Sequence, residues 1–199
     1  MNPVRKSVMT ASALVFLAIA AFVVASRGGS DAAVATTRGG AFAWLRPTAV
    51  PASWVTHRLP GSPATLSAPP GWHSAPGDPG TRTMVSRSPS GQIVGYLNAT
   101  PRQGSETLAN WSDFRVDHNR DEGDREVRRL ASASGLRFRS ATGSCVLDSY
   151  ATSSGHRYRE IACLVSGPTA STVIVAAAPP GSWADEAPRL ERAVTDFTT

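Results

Sequence analysis

Residues 143–167 constrain the fold more than any other stretch, because they read as a β-hairpin that carries both cysteines of the chain. Ser153-Ser154-Gly155 has the chemistry of a three-residue hairpin loop, a type I turn followed by a left-handed residue, where glycine has no Cβ to clash. Such a loop sets the register of the two strands. Pairing starts with Thr152 opposite His156 and, counted outward, brings Cys145 opposite Cys163. Opposed residues of an antiparallel pair lie about 4.5–5.5 Å apart at Cα, within the span of a disulfide. The expectation is a cross-strand disulfide and therefore an oxidising compartment. Closing a loop of this size stabilises a fold by about 3 kcal/mol in the chain-entropy model. A structural bridge is favoured over a redox switch, since the chain has no further thiol for exchange.

The same register sorts side chains by face. Val146/Ala162, Asp148/Glu160 and Tyr150/Tyr158 fall on one side, and Cys145/Cys163, Leu147/Ile161 and Ser149/Arg159 on the other. Like charges directly opposed are unfavourable, so Asp148 and Glu160 require a cation, for which Arg137 or Arg139 on the preceding strand is the expected source. Two readings stand side by side. One is a structural ion-pair network; the other is a binding face made of Asp148, Tyr150, Tyr158 and Glu160 with these arginines, marked by raised carboxylate pKa values.

At the other end, Arg5-Lys6 precedes an uncharged apolar run over residues 7–26. As a helix it spans about 30 Å, the thickness of a bilayer core. An uncleaved anchor fits this length better than a signal peptide, whose apolar region is about 7–15 residues. Val24-Ala25-Ser26 and Ala33-Val34-Ala35 keep cleavage open. Either way the positive residues 1–6 stay in the cytoplasm and the remainder lies outside, tethered to the membrane or secreted. Residues 27–51, rich in Gly, Ala, Thr and Ser, suit a flexible tether. Phe42, Trp44 and Leu45 interrupt it as a docking contact with the domain or, less readily, with the membrane surface.

The formal net charge of +5 on 199 residues invites a nucleic-acid reading. Most of the excess sits in the first 40 residues, and elsewhere the arginines alternate with acids. That pattern speaks against a phosphate-tracking surface, and no nucleic-acid partner is expected.

An extracytoplasmic domain is expected over residues 52–199. Short β-like runs at 54–59, 64–68, 81–87 and 92–98 are separated by Pro69-Pro70-Gly71 and by the turn Ser88-Pro89-Ser90-Gly91. A first helix is expected over 105–122, capped by Ser105 and stopped at Gly123, with Leu108, Trp111, Phe114 or Arg115, and His118 on one stripe. Residues 125–134 are ambiguous between a helical turn and a strand, and Val127 and Leu130, three apart, fit the former better. Residues 135–141 alternate as a strand and 171–178 form a buried one. A last helix over 182–197, capped by Ser182, lays Leu190, Ala193, Val194 and Phe197 on the sheet. This order specifies an α+β domain with an antiparallel sheet between helices.

The stretches PPGW at 69–72, GYLNATPRQG at 95–104, GLRF at 135–138, GSCVLDSY at 143–150, RYREIACLV at 157–165 and VAAAPPGSW at 175–183 resemble small actinobacterial envelope proteins with a PsbP-like domain. The resemblance covers about residues 54–197 and implies an α/β/α sandwich that binds or supports a partner outside the cytoplasm without catalysis.

Catalytic and metal motifs are missing from the sequence. It has no Gly-x-Ser-x-Gly elbow, no His-Glu-x-x-His, no phosphate loop and no Cys-x-x-Cys. Asp117-x-Asn119-x-Asp121 starts like a calcium loop, but Gly123 is one place late and Arg128 stands where the bidentate Glu belongs. No metal or cofactor is expected. The leading expectation is an accessory domain that engages an envelope protein through the hairpin face and the segment 96–104. The alternative is a small-molecule or lipid carrier with an apolar pocket near Trp72, Tyr96 and Trp111. A hydrolase assembled from distant Ser, His and Asp is the third.

Overall fold

In a computed structural model, residues 40–199 are described. The elements β1 (Val55–Arg58), β2 (Thr65–Ala68), β3 (His73–Ala75), β4 (Arg82–Arg87) and β5 (Ile93–Pro101) precede the helix α1 (Trp111–Asp121). Strands β6 (Arg125–Arg137), β7 (Thr142–Ala151), β8 (Arg157–Ser166) and β9 (Ser171–Ala178) follow, then α2 (Trp183–Asp196). Strands β1 and β2 form a small ribbon, and the others form one antiparallel sheet in the order β3-β4-β5-β9-β8-β7-β6. The sheet is two meanders joined through α1, so that the last strand, β9, returns to pair with β5 in the centre.

The hairpin register is as the loop chemistry requires. Thr152 N–H donates to His156 O at 2.8 Å, Gly155 has φ 88°, and Cys145 pairs with Cys163 in a disulfide. All ten pairs of β7 with β8, from Thr142↔Ser166 to Ala151↔Arg157, follow from that one loop.

Alternation along the strands gives the sheet two different faces. On one, Cys145, Cys163, Ile161, Ile174 and Ala176 pack under Leu190, Ala193 and Val194 of α2 and Phe197 at its C-terminal end, all 0–1% exposed. The β1–β2 ribbon closes this layer through Leu66 and Ala68, and Thr65 bridges to Thr198 beyond α2. Burying side chains of this size contributes roughly 1.5–3 kcal/mol each, which makes this the main core. On the opposite face α1 covers β6, β7 and β8, with Trp111 over Val146, Ala162 and Leu164 and its indole N–H donating to Ala162 O at 2.9 Å.

Four expectations are corrected. The first helix starts at Trp111 and not at Ser105, because the Glu106 carboxylate accepts the N–H groups of Gln103 and Gly104 and ties 103–106 into a loop. Residues 125–134 are strand throughout. Irregularities between Arg125 and Arg128 and between Arg129 and Ala131 each insert an extra residue, so two-residue alternation is broken into a spacing that imitates a helix. The strand expected over 135–141 ends at Arg137, where β6 turns into β7. The domain also begins before residue 52, since Phe42 and Leu45 are each only 7% exposed in the main core and Thr48 and Val50 hydrogen-bond to Thr195 and Asp196. The docking expected of that aromatic cluster is thus on the domain. The anchor expected over 7–26 lies outside the described residues, and among those described no helix is long and apolar enough to cross a membrane.

Candidate functional site

Helix α1 spans only half of its sheet face. Beside it, the face of β4, β5 and β9 is left open as a cleft of ≈ 500 Å3. Register places Thr83, Asn98 and Val175 in one row across three strands, with Tyr96 beside Ala177 and Thr100 beside Val173. Polar β5 side chains therefore alternate with the apolar ones of β9 on the floor. Arg115, His118 and Glu122 of α1 form one wall, residues 76–81 the other, and Tyr150 and Tyr158 one end. All three tyrosines of the chain line this one cleft. Tyr150 and Tyr158 hold their rings 5.9 Å apart at 36°, and Asn98 donates to Thr83 Oγ1 at 2.8 Å.

Beneath the α1 wall lies the paired acid site. Asp148 and Glu160 oppose each other across β7 and β8, and both are 0% exposed. The cation is Arg115 of α1, whose Nε and Nη2 reach the two Glu160 oxygens at 2.7 and 2.9 Å. Tyr150 adds its hydroxyl to Glu160 Oε2 at 3.1 Å. The expectation that Arg137 or Arg139 supplies this charge is corrected. Arg139 donates to Asp196 at 2.8 Å, exposed Arg137 pairs with Thr142 at the far end of β6, and the β6 residue opposite Asp148 is Arg129, itself bound to Asp113 of α1. The bulges in β6 caused this shift of register. Arg115 was within sight of sequence reasoning only as the alternative to Phe114 on the α1 stripe, and nothing in the helical pattern selects between them.

The electrostatics follow from burial. Removal from water pushes the Asp148 carboxyl up to about 8, Glu160 pushes the same way, and Arg115 opposes both. Asp148 Oδ2 receives only a long 3.4 Å bond from buried Asn119, and Oδ1 has no partner. At neutral pH this carboxyl is held protonated in the folded state. For Arg115, burial works against the charge, but adjacent Glu160 more than reverses it and holds the guanidinium charged. Burial and the Glu160 charge both raise the Tyr150 hydroxyl, and burial raises that of Tyr96.

The expected pocket residues are not brought together. Trp72 packs in the main core against Gly95, where a Cβ would lie 2.8 Å from its ring, whereas Trp111 is buried on the other sheet face and only Tyr96 opens into the cleft. One pair escaped the sequence reading: His118 Nε2 meets Glu122 Oε1 at 3.1 Å on the cleft wall, with its ring stacked on Phe114. Among the described residues no serine hydrogen-bonds to it and no group of three or more His, Cys, Asp or Glu could hold a metal ion. The arrangement offers hydrogen-bonding phenols and amides over an apolar floor, which is chemistry of recognition.

No protein-family model and no curated protein matches the chain in sequence. Solved structures match it in shape. A protein of unknown function from Pseudomonas aeruginosa is 11% identical with a TM-score of 0.49, over 73% of this chain and 96% of that one. LpqN, involved in cell envelope biogenesis of Mycobacterium tuberculosis, is 17% identical with a TM-score of 0.46, over 73% and 88%. The cyanobacterial PsbP protein CyanoP of Synechocystis sp. PCC 6803 is 12% identical with a TM-score of 0.53, over 75% and 94%. With its two helices on opposite faces of an antiparallel sheet, the domain has the PsbP-like fold.

Proposed function

We propose that this is a non-catalytic binding domain held outside the cytoplasm, tethered through residues 7–26, whose cleft receives a segment of an envelope protein. The observation that carries the reading is the cleft itself. Half of one sheet face is left uncovered by α1, and it gathers all three tyrosines with Asn98 and Gln103 over Val173, Val175 and Ala177. Tyrosine supplies large contact area at low entropic cost with a polar tip, and such residues dominate binding energy where partners dock. The buried disulfide supports an oxidising location.

Within this reading the ion-pair site is scaffold. Glu160 and Asp148 have no exposed surface, and Arg115 gives its Nε and Nη2 to the two Glu160 oxygens, so the pair holds α1 and the Tyr150 hydroxyl in place at the cleft wall. The test is site-specific photo-cross-linking in the host's own membranes. A cross-linker at Asn98 is expected to trap one envelope protein, lost on Tyr96→Ala with Tyr158→Ala. A cross-linker at exposed Ser140, in the turn from β6 to β7, is expected to trap nothing specific. Equal trapping from both positions removes the reading.

A further inference from the structure

On the opposite face of the sheet, at its hairpin end, a second groove of ≈ 530 Å3 opens between β6, β7, β8 and the start of α2. Its floor is set by register. Arg128 of β6 pairs with Ser149 of β7, which pairs with Arg159 of β8, so one row across three strands reads Arg, Ser, Arg. Adjacent strands lie about 4.8 Å apart, which puts the two arginines roughly 10 Å apart at Cα with a hydroxyl midway. Both line the groove with Ser149, Trp183, Pro180 and Ala184.

The charge of this row is unbalanced. The third arginine of the groove, Arg157, is neutralised by Glu126 in a two-pronged pair at 2.7 and 2.9 Å. Among the described residues neither Arg128 nor Arg159 forms a salt bridge. Arg159 is instead held over the Trp183 ring, 5.4 Å from its centroid. Stacking on an aromatic face fixes the guanidinium plane while leaving its N–H fork unspent. The opening turn of α2 lies alongside, and the positive end of this 14-residue helix is partly offset by Asp185 and Glu186 in the same turn, so the charge of the groove rests on the two arginines.

We propose that this groove binds a phosphate group. Two unspent guanidinium forks flanking a hydroxyl match an anion with several oxygens pointing in different directions, and the pre-set Arg159 lowers the ordering cost of holding it. Phosphate reaches such a site either as a free ion or as the headgroup of an anionic lipid, and the recognised chemistry is the same. Arg128, Ser149, Arg159 and Trp183 do not line the cleft, whereas Tyr150 and Tyr158 border both the cleft and this groove.

Calorimetric titration of the full chain in a neutral maltoside detergent tests this with three probes: inorganic phosphate, short-chain phosphatidylglycerol and short-chain phosphatidylcholine. Saturable one-to-one binding of inorganic phosphate identifies a free-ion site, and binding of phosphatidylglycerol without phosphatidylcholine identifies a headgroup site. In either case Arg159→Gln and Arg128→Gln are each expected to weaken binding at least tenfold, Trp183→Ala severalfold, and added salt progressively. Melting temperatures near wild type are expected of the two arginine variants, whose side chains lie on the groove surface, and a lower one of Trp183→Ala, whose ring also packs against the main core. Binding of none of the probes, or binding unchanged in both arginine variants, overturns the proposal.

Discussion

The two faces of the same β7–β8 hairpin are built on opposite physical principles. Cys145, Cys163 and Ile161 face α2 in an apolar layer, while Asp148, Glu160 and Tyr150 face α1, one residue out of phase. The apolar face depends on volume, and its energy is spread over many contacts. The ionic face depends on one geometry, in which Arg115 must reach Glu160 from a different element. An apolar layer tolerates single losses, whereas a buried pair stripped of one partner leaves an uncompensated charge.

The sharpest way to break this comparison is to remove the cation. Arg115→Ala leaves the buried Glu160 carboxylate without its cation and is expected to destabilise by about 3–5 kcal/mol in denaturant titration. The double variant Arg115→Leu with Glu160→Leu is expected to recover most of the loss, because two apolar groups of similar size need no partner. A double variant as unstable as the single one would show that the pair is a net source of stability, not a satisfied liability. Next in size comes the disulfide on the apolar face. Cys145→Ala with Cys163→Ala is expected to cost about 3 kcal/mol in the same measurement. Both sulfurs are fully buried, so added reductant is expected to act only as fast as the domain opens.

How much of each face was legible in the sequence follows from the same difference. The apolar face obeyed local rules: one glycine turn specified the register of ten residue pairs, and spacing along α2 named Leu190, Ala193, Val194 and Phe197, all now 0% exposed. The ionic face hid its key residue, since Arg115 and Glu160 are 45 positions apart and no local period connects them. The three irregularities of β6 misled further, turning a strand into an apparent helical turn and drawing attention to Arg137 and Arg139. The cleft was half legible. Tyr96, Tyr150 and Tyr158 were named as candidates, but their meeting depends on β9 inserting beside β5, and strand order is not written in any single segment.

A third prediction sharpens the contrast through pH. The Asp148 carboxyl is raised from 3.8 to about 8 in the folded protein, so between those values the native state holds a proton that the unfolded chain has released. Stability from this group is therefore full at the acid end and falls as pH rises toward 8, by up to about 1.4 kcal/mol per unit where the two states differ by a whole proton. Asp148→Asn cannot titrate. Its stability is expected to be flatter across that range and higher than wild type at pH 8. Parallel pH profiles for the two proteins would mean that the site is wetter than its burial indicates.

The smallest expected change in stability belongs to the cleft, and that is its diagnostic value. Tyr96 and Asn98 stand on β5 with their backbones paired to β4 and β9 on both sides, so the sheet holds them whatever their side chains touch. Tyr96→Phe removes only a hydroxyl, and Asn98→Ala removes one hydrogen bond to Thr83. Each is expected to shift stability by roughly 1 kcal/mol or less, since surface substitutions away from special features stay near ±0.5 and a hydrogen bond contributes about 1. Partner capture by a cross-linker placed instead at exposed, cleft-lining Gln103 is expected to fall severalfold in the same variants, because a desolvated phenol or amide left unmatched at an interface costs more than it did in water. Residues that matter to the fold should lose stability and binding together, as Arg115→Ala should. Residues selected for recognition should separate the two, and a cleft whose variants lose both in proportion would be part of the core and not a site.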